Sequence, residues 1–279
     1  MKIVLLVLLS FPIPAFAAQK VIYGEDNRVD YYLVSKSHQE IADATAVMIN
    51  NIRIKEKKDH FLLSKKTLRN YGVCEGERFL EQFTAGSCSG FLIAPDLLAT
   101  AGHCIQTVDD CKLIKWVFDY KLLNRSPMSR KVLKKSVYNC VELVERGFSQ
   151  SKAIDYSIVK LDRAISDRKI LKLRRSGKVN NNANLAVFGY PTGLPLKVAK
   201  GGKVRRNGAK HFFVTNLDTF GGNSGSPVVD LKSLEVEGIL IRGEDDYITD
   251  TRQDCKRVKQ CSPNSCEGET VTRITNIKL

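Results

Sequence analysis

Residues 221–227 read Gly-Gly-Asn-Ser-Gly-Ser-Pro, and the rest of the chain is best interpreted from this stretch. Glycines on both sides of Ser224 let the backbone come close to a bound molecule and turn its N–H groups towards it. The amides of Gly222 and Ser224 are therefore candidates for an oxyanion hole, a pair of donors that stabilises the charge of an acyl-transfer transition state. A glycine-rich surface turn is the alternative, but the apolar strand-like runs around the stretch disfavour it. The stretch predicts a nucleophilic serine at position 224.

A second stretch, Leu-Ala-Thr-Ala-Gly-His-Cys at residues 98–104, predicts a general base. Apolar runs on either side of an Ala-Pro-Asp turn at 94–96 predict a strand hairpin that leads into His103. Such a frame fixes the ring with one nitrogen facing a nucleophile, as a general base requires. Cys104 follows at once and Cys88 lies sixteen residues before it, so a bridge between them would clamp the hairpin.

The third stretch is Ile-Asp-Tyr-Ser-Ile-Val-Lys-Leu at residues 154–161, where Asp155 precedes a mostly apolar strand. A buried carboxylate there would fix the tautomer of His103 and stabilise its protonated form. Alone the pattern is common, since an aspartate before a strand is often a turn residue or a cap. Its place between the other two stretches gives the order His, Asp, Ser. The serine elbow of α/β-hydrolases does not fit, because it needs glycine where this chain has Ser226.

Short apolar runs separated by turn residues predict an all-β fold. Many short strands with frequent turns indicate a β-barrel or sandwich rather than a parallel sheet. The polar segment 180–184 is the predicted connector between two halves, and the sequence contains no internal repeat. The predicted strands are residues 45–49, 91–93, 97–100, 157–161, 185–188, 212–214 and 237–241.

The first seventeen residues have the pattern of a secretory signal peptide. Lys2 is followed by a short apolar run, and residues 15–17, Ala-Phe-Ala, form a cleavage site of small residues. A buried N-terminal helix is the alternative, but Pro12 and Pro14 would break it. The run is too short for a membrane anchor. We therefore expect residues 1–17 to be removed and the protein to be secreted, into the medium or the periplasm.

Eight cysteines in an exported chain predict disulfides. A metal site is the competing interpretation, but no CxxC pair occurs and no Cys/His group has the spacing of a zinc site. Besides Cys88 and Cys104, the other six cysteines allow fifteen pairings. We expect neither a metal ion nor another cofactor.

The chain is strongly basic, with a formal net charge of +14. The favoured interpretation is a solvated basic surface that aids solubility, because charge alone identifies no partner. The alternative is attraction to anionic polymers of a cell surface. The sequence has no basic patch interleaved with aromatic residues, the pattern that would indicate a nucleic-acid partner. The expected partners are protein or peptide substrates, and the expected state is a monomer.

Residues 100–104 and 222–227 resemble the two signature motifs of the chymotrypsin/trypsin clan of serine proteases, and the spacing of Cys88 and Cys104 matches as well. The form Gly-Asn-Ser-Gly-Ser-Pro is most similar to a bacterial branch that includes the glutamyl endopeptidases. The resemblance extends over residues 21–243. It implies two perpendicular six-stranded antiparallel β-barrels, with the active site in the cleft between them.

By this resemblance His103, Asp155 and Ser224 form a catalytic triad. The first barrel would span residues 21–179 and carry the histidine and aspartate. The second would span residues 180–279 and carry the serine and a cysteine-rich C-terminal tail. Animal trypsins have an aspartate just before the serine that pairs with the new N-terminus on activation. Asn223 stands there in this chain, so that salt bridge is not expected.

The resemblance also bears on substrate choice. Trypsin-like enzymes hold an acidic residue at the base of the specificity pocket, six positions before the serine, and Asp218 occupies that position. With Thr219 and Gly243 it is expected to bind a Lys or Arg side chain before the scissile bond, because a buried charge is costly unless paired. A loop cap or a surface ion pair is the alternative for Asp218. Leu240 stands where glutamyl endopeptidases have a histidine, which disfavours cleavage after Glu.

Together these features predict a secreted serine endopeptidase of the trypsin-like type that acts through an acyl-enzyme. A cut after Lys20 would release residues 18–20 as a short propeptide, so we expect a zymogen. The alternatives are a serine protease of different preference, a catalytically weak or inactive protease-like binding protein, and a basic surface adhesin.

Overall fold

The computed structural model describes residues 22–125, 129–262 and 266–278. Strands dominate these ranges because the apolar, β-branched and aromatic runs are short and separated by turns. The predicted signal peptide at 1–17 and propeptide at 18–20 lie outside the described residues. Within the described ranges, none of the helices combines the length and the apolarity needed to cross a membrane.

The strands and helices follow one another in this order. The strands are β1 (Ile22–Tyr23), β2 (Arg28–Asp30), β3 (Thr45–Asn50), β4 (Ile54–Glu56), β5 (His60–Leu63), β6 (Cys88–Ala94), β7 (Leu97–Thr100), β8 (Ile114–Val117), β9 (Lys131–Leu133), β10 (Val137–Ser149), β11 (Ile154–Leu161), β12 (Leu185–Gly189), β13 (Lys197–Gly202), β14 (Val204–Arg206), β15 (Phe212–Thr215), β16 (Pro227–Asp230), β17 (Glu235–Arg242), β18 (Tyr247–Asp250), β19 (Cys255–Val258), β20 (Gln260–Cys261) and β21 (Glu269–Arg273). The α-helices are α1 (Lys36–Asp43) and α2 (Val108–Lys112), and 3₁₀ turns occur at Tyr31–Leu33, Asn51–Arg53, Arg69–Tyr71, Lys134–Ser136, Pro191–Gly193 and Ile274–Asn276.

Six strands close into a barrel in the order β10, β11, β7, β6, β3 and β8, and every neighbouring pair is antiparallel. Phe91, Leu98 and Trp116 are fully buried in its core, where their apolar surface drives closure. The predicted hairpin is the pair β6–β7. Because β7 and β11 are neighbours, the end of β7 and the start of β11 lie at the same rim of the barrel.

The second layer is an eight-stranded sheet in the order β14, β15, β21, β17, β16, β12, β13 and β2, curled into a half-barrel. The predicted all-β, trypsin-like fold class is confirmed. The second unit differs in detail from a closed six-stranded barrel, because it stays open and recruits β2 from the N-terminal part of the chain. Strand β2 pairs with β13, so Arg28–Asp30 belongs to the second sheet although it precedes the first barrel in sequence.

All eight cysteines are paired. The pairs are Cys74–Cys255, Cys88–Cys104, Cys111–Cys140 and Cys261–Cys266. The bridge between Cys88 and Cys104 joins the start of β6 to the residue after His103, as the predicted clamp requires. Cys74–Cys255 ties the long loop between β5 and β6 to β19 in the C-terminal part of the chain.

Candidate active site

His103 and Asp155 meet at the rim of the closed barrel. The register pairs Ser157 of β11 with Thr100 of β7. Asp155, two residues before Ser157, and His103, three residues after Thr100, are therefore brought together. Asp155 Oδ1 accepts from the backbone N–H of His103 at 2.8 Å, and Oδ2 accepts from Nδ1 at 2.8 Å. Asp155 is buried, whereas the imidazole is 38% exposed. The ring is thereby held in one orientation, with Nε2 free to accept a proton.

Ser224 lies in the turn that leads into β16. Gly222 and Gly225 beside it have φ values of 95° and 90°, in the left-handed region that favours glycine. A Cβ on Gly225 would lie 2.0 Å from the carbonyl oxygen of Ser89, so only glycine allows this approach. The turn is thus pressed against β6 of the first barrel.

Ser89 on β6 holds this turn in place. Its N–H donates to the carbonyl oxygen of Ser224 at 2.7 Å, and its hydroxyl donates to the carbonyl oxygen of Gly222 at 2.7 Å. Cys104 Sγ lies 3.8 Å from the same Ser224 oxygen. These contacts bring Ser224 to the rim that carries His103. In the described part of the chain the Ser224 hydroxyl makes no hydrogen bond to the imidazole; in enzymes without substrate such bonds are often long.

The amides of the turn at residues 221–226 fall into two groups. Within the described ranges, those of Gly222 and Ser224 donate to no protein acceptor. These two are the donors that the sequence predicted for an oxyanion hole, and an unoccupied pair of N–H groups is what an anion requires. The other four are occupied: Gly221 donates to Asp246 Oδ2, Asn223 to Phe220 O, Gly225 to Leu240 O and Ser226 to Asn223 O.

A small cavity of about 120 Å³ opens beside Ser224. Thr219 and Gly243, both predicted to bind substrate, line it. The rest of its lining is Phe220, Gly221, Ser224, Leu240, Arg242, Glu244, Asp246 and Glu269. A second cavity of about 390 Å³ adjoins the first; its lining includes Gly222, and the two cavities share Gly221 and Asp246. The turn that carries the serine therefore contributes residues to both cavities.

Asp218 does not line the cavity beside Ser224. Its carboxylate accepts from the backbone N–H of Tyr23 at 2.9 Å and from that of Asn27 at 2.8 Å, and the side chain is buried against this N-terminal segment. Burial raises the pKa of the Asp218 carboxyl to about 6. The expectation that Asp218 forms the base of the pocket therefore needs correction, because its side chain faces the N-terminal segment instead of the cavity.

The cavity contains another carboxylate, that of Glu269. It is 1% exposed, lies at the start of β21, and accepts from the Thr219 hydroxyl and from the Tyr23 hydroxyl, the latter at 3.4 Å. Glu269 was not predicted as a site residue, because it lies beyond the region of resemblance. The sequence contains one signal for it: Glu269 is an acidic residue directly before the β-branched run Thr-Val-Thr at 270–272, which predicts a strand.

Cys88, His103 and Cys104 have ligand atoms within 4.8 Å of one another, a spacing that would suit a metal ion. Both cysteines, however, are joined to each other in a disulfide, and metals bind cysteine as the thiolate. This group therefore belongs to the clamp around His103.

Comparison with known proteins places this geometry in context. The VesB protease of Vibrio cholerae superposes with a TM-score of 0.53 at 14% sequence identity, and the match covers 89% of this chain but only 64% of VesB. Rv3671c from M. tuberculosis H37Rv, in an inactive form, gives 0.48 at 12% identity, covering 86% of this chain and 85% of that one. A Glu endopeptidase in complex with MPD gives 0.47 at 17% identity, covering 86% and 94%. No curated protein matches the chain in sequence.

Residues 88–239 match the family model described as trypsin-like peptidase domain. The match covers more than half of the chain and includes the residues predicted as nucleophile, base and acid. The chain belongs to the trypsin-like peptidase domain family.

Proposed function

We propose that the protein is a serine endopeptidase in which His103, Asp155 and Ser224 form the catalytic triad. The observation that carries the proposal is the pair of 2.8 Å hydrogen bonds from His103 to Asp155 at the rim against which Ser224 is packed. Family membership supports the class of reaction. The unoccupied amides of Gly222 and Ser224 support the same site.

The proposed mechanism is acyl transfer. His103 Nε2 takes the proton of the Ser224 hydroxyl while Ser224 Oγ attacks the carbonyl carbon of the scissile peptide bond. Asp155 stays ionised and stabilises the imidazolium, and the Gly222 and Ser224 amides bind the oxyanion. His103 then gives the proton to the leaving amine, and a water molecule activated by the same histidine hydrolyses the acyl-enzyme.

The proposed preference is for Lys or Arg before the scissile bond. Three acidic side chains, those of Glu244, Asp246 and Glu269, line the cavity next to Ser224, and this supports a basic occupant. The secreted state is proposed from residues 1–17 and is consistent with four disulfides. Maturation by a cut after Lys20 belongs to the same proposal; N-terminal sequencing of the wild type and of Ser224→Ala separates self-cleavage from processing by another protease.

The test is covalent labelling of the mature protein by a fluorophosphonate, together with cleavage of matched peptides that vary before the scissile bond. Ser224→Ala should abolish labelling and lower kcat by about 10⁴–10⁶-fold. Ser233→Ala is the matched control, because Ser233 is exposed in the turn between β16 and β17. A loss below tenfold in Ser224→Ala would reject Ser224 as the nucleophile. Absence of both labelling and cleavage in the wild type would favour an inactive scaffold that binds its partners.

A further inference from the structure

The start of β21 places Glu269 at the wall of the cavity. Strand β21 pairs with β15 and β17, with Glu269 opposite Thr215 and Thr270 opposite Arg242. Gly243, the residue after β17, is therefore a direct neighbour of the Glu269 side chain. A Cβ on Gly243 would lie 1.8 Å from Glu269 Oε2. The absence of a side chain at position 243 leaves room for this carboxylate at the cavity wall.

The Glu269 carboxylate is buried without a cation. Its hydrogen-bond donors are the hydroxyl groups of Thr219 and Tyr23 and the backbone N–H of Glu244, and none of the ion pairs in the described ranges includes it. Burial raises the pKa of the Glu269 carboxyl to about 8, with Asp246 and Glu244 adding in the same direction. An ionised carboxylate held in this way is costly, and a cation that enters the cavity would remove the cost.

The other charged groups of the cavity do not supply that cation. Glu244 pairs with Lys259 at 3.0 Å and accepts from the backbone N–H of Glu267, so Lys259 is already occupied. Asp246 accepts from the backbone N–H of Gly221 at 2.7 Å. Arg242 lines the cavity but is exposed, and its guanidinium lies outside ion-pair distance of the three carboxylates. The cavity thus has an excess of negative charge, with its most buried carboxylate uncompensated.

We infer that Glu269 is the residue that determines specificity, and that its carboxylate binds the ammonium or guanidinium group of the residue before the scissile bond. The inference rests on the proposed serine endopeptidase function and names the group that recognises its substrate. Thr219 and Tyr23 position the carboxylate through their hydroxyls. The cation enters past Gly243, and Ser224 lines the same cavity, so an occupant of the cavity leads its carbonyl group to the nucleophile.

The kinetic test uses Glu269→Gln, which keeps the shape of the side chain and removes its charge. We expect kcat/KM for Lys and Arg peptides to fall by about 10²–10³-fold, since one partner of a buried charge pair is lost. Matched peptides with Ala or Gln at the same position should change by less than about threefold, and fluorophosphonate labelling should persist. Glu142→Gln is the matched control: Glu142 is exposed on β10 of the first barrel, does not line the cavity, and its substitution should leave the ratio of Lys to Ala cleavage unchanged.

A binding test guards against a folding defect and does not depend on catalysis. The n-butylammonium ion carries the charge of a lysine side chain without a peptide, and it should raise the Tm of Ser224→Ala but not that of Ser224→Ala/Glu269→Gln. The Tm of the two variants without the ion reports whether the second substitution disturbs folding.

The outcomes separate the two proposals. A wild type that cleaves through Ser224 but prefers uncharged residues, or a Glu269→Gln variant that loses all peptides equally, would overturn the role of Glu269 and keep the protease. An equal Tm shift by n-butylammonium in both variants would overturn it as well. Peptide cleavage that persists in Ser224→Ala would instead overturn the proposed function.

Discussion

The rim of the closed barrel and the cavity of the curled sheet each hold a buried carboxylate, and the two differ in their partners. Asp155 accepts from the backbone and the ring of His103, a side chain that becomes a cation during the proposed reaction. Glu269 accepts from neutral donors, two hydroxyl groups and a backbone N–H, and has no cation within ion-pair distance in the described part of the chain. The first carboxylate thus binds a residue of its own protein, whereas the second, in its proposed role, binds a cation of the substrate.

The strongest test of this contrast is Asp155→Asn. The amide can present its NH₂ group to His103 Nδ1 and stabilise the wrong tautomer, so kcat should fall by about 10⁴-fold. Lys and Ala peptides should lose rate by the same factor, because Asp155 does not touch the cavity. Asp109→Asn is a matched control, since Asp109 is exposed on α2 and pairs with Lys112. A loss confined to Lys peptides would contradict the division of roles.

A smaller effect is expected from Gly243→Ala. The new methyl group would occupy the space next to Glu269 Oε2 and displace the carboxylate. Because a shift of about 1 Å can cost about 10²-fold in rate, kcat/KM for Lys peptides should fall by about 10–100-fold. Fluorophosphonate labelling of Ser224 should be retained, and Gly208→Ala is the control because a Cβ there meets nothing within 4 Å. Unchanged cleavage after Lys would contradict the proposed contact between Glu269 and the substrate cation.

The smallest effect concerns pH. Below about pH 8 the Glu269 carboxyl of the free enzyme is increasingly protonated, so binding a cation requires loss of that proton. The ratio of kcat/KM for a Lys peptide to that for an Ala peptide should therefore rise by up to about tenfold per pH unit towards pH 8 and level off above it. The ratio cancels any effect of pH that is common to both peptides. The other titratable groups near Glu269 are the neutral phenol of Tyr23 and the charged side chains of Arg205, Arg242, Glu244, Asp246 and Lys259.

The control for this pH profile is Glu269→Gln, in which the ratio should be nearly flat above pH 7. Asp246, whose pKa burial raises to about 6, then accounts for any remaining change at lower pH. A ratio that falls as the pH rises in the wild type would contradict the assignment of Glu269 as the binding group.

The two regions also differ in how far the sequence could predict them. His103 and Ser224 lie in short stretches whose glycines, cysteine and strand pattern restrict the local geometry, so the candidate residues and the fold class follow from local information. Asp218 was misplaced because counting six residues back from Ser224 does not reveal which way a side chain points. Glu269 follows Ser224 by forty-five residues and reaches the cavity only through the pairing of β21 with β17.

The disulfides show the same difference between contacts that are local in sequence and contacts that are not. The bridge between Cys88 and Cys104 spans sixteen residues around a recognisable hairpin, whereas Cys74 and Cys255 are 181 residues apart. No pattern close to either of the latter two indicates the other, since the link depends on how β19 of the two-stranded β18–β19 sheet packs against the loop between β5 and β6. Long-range contacts of this kind are a property of the folded chain.

The link between Cys74 and Cys255 also determines what happens to a molecule that another copy of the proposed protease cleaves. The enclosed segment contains His103, Asp155 and Ser224, and the whole chain has 44 Lys and Arg residues. A single cut anywhere between the two bridged cysteines leaves both fragments covalently attached. On a denaturing gel such a nicked molecule migrates as one species without reductant and as two fragments with it. Comparing a reduced with a non-reduced sample therefore measures the fraction of nicked molecules.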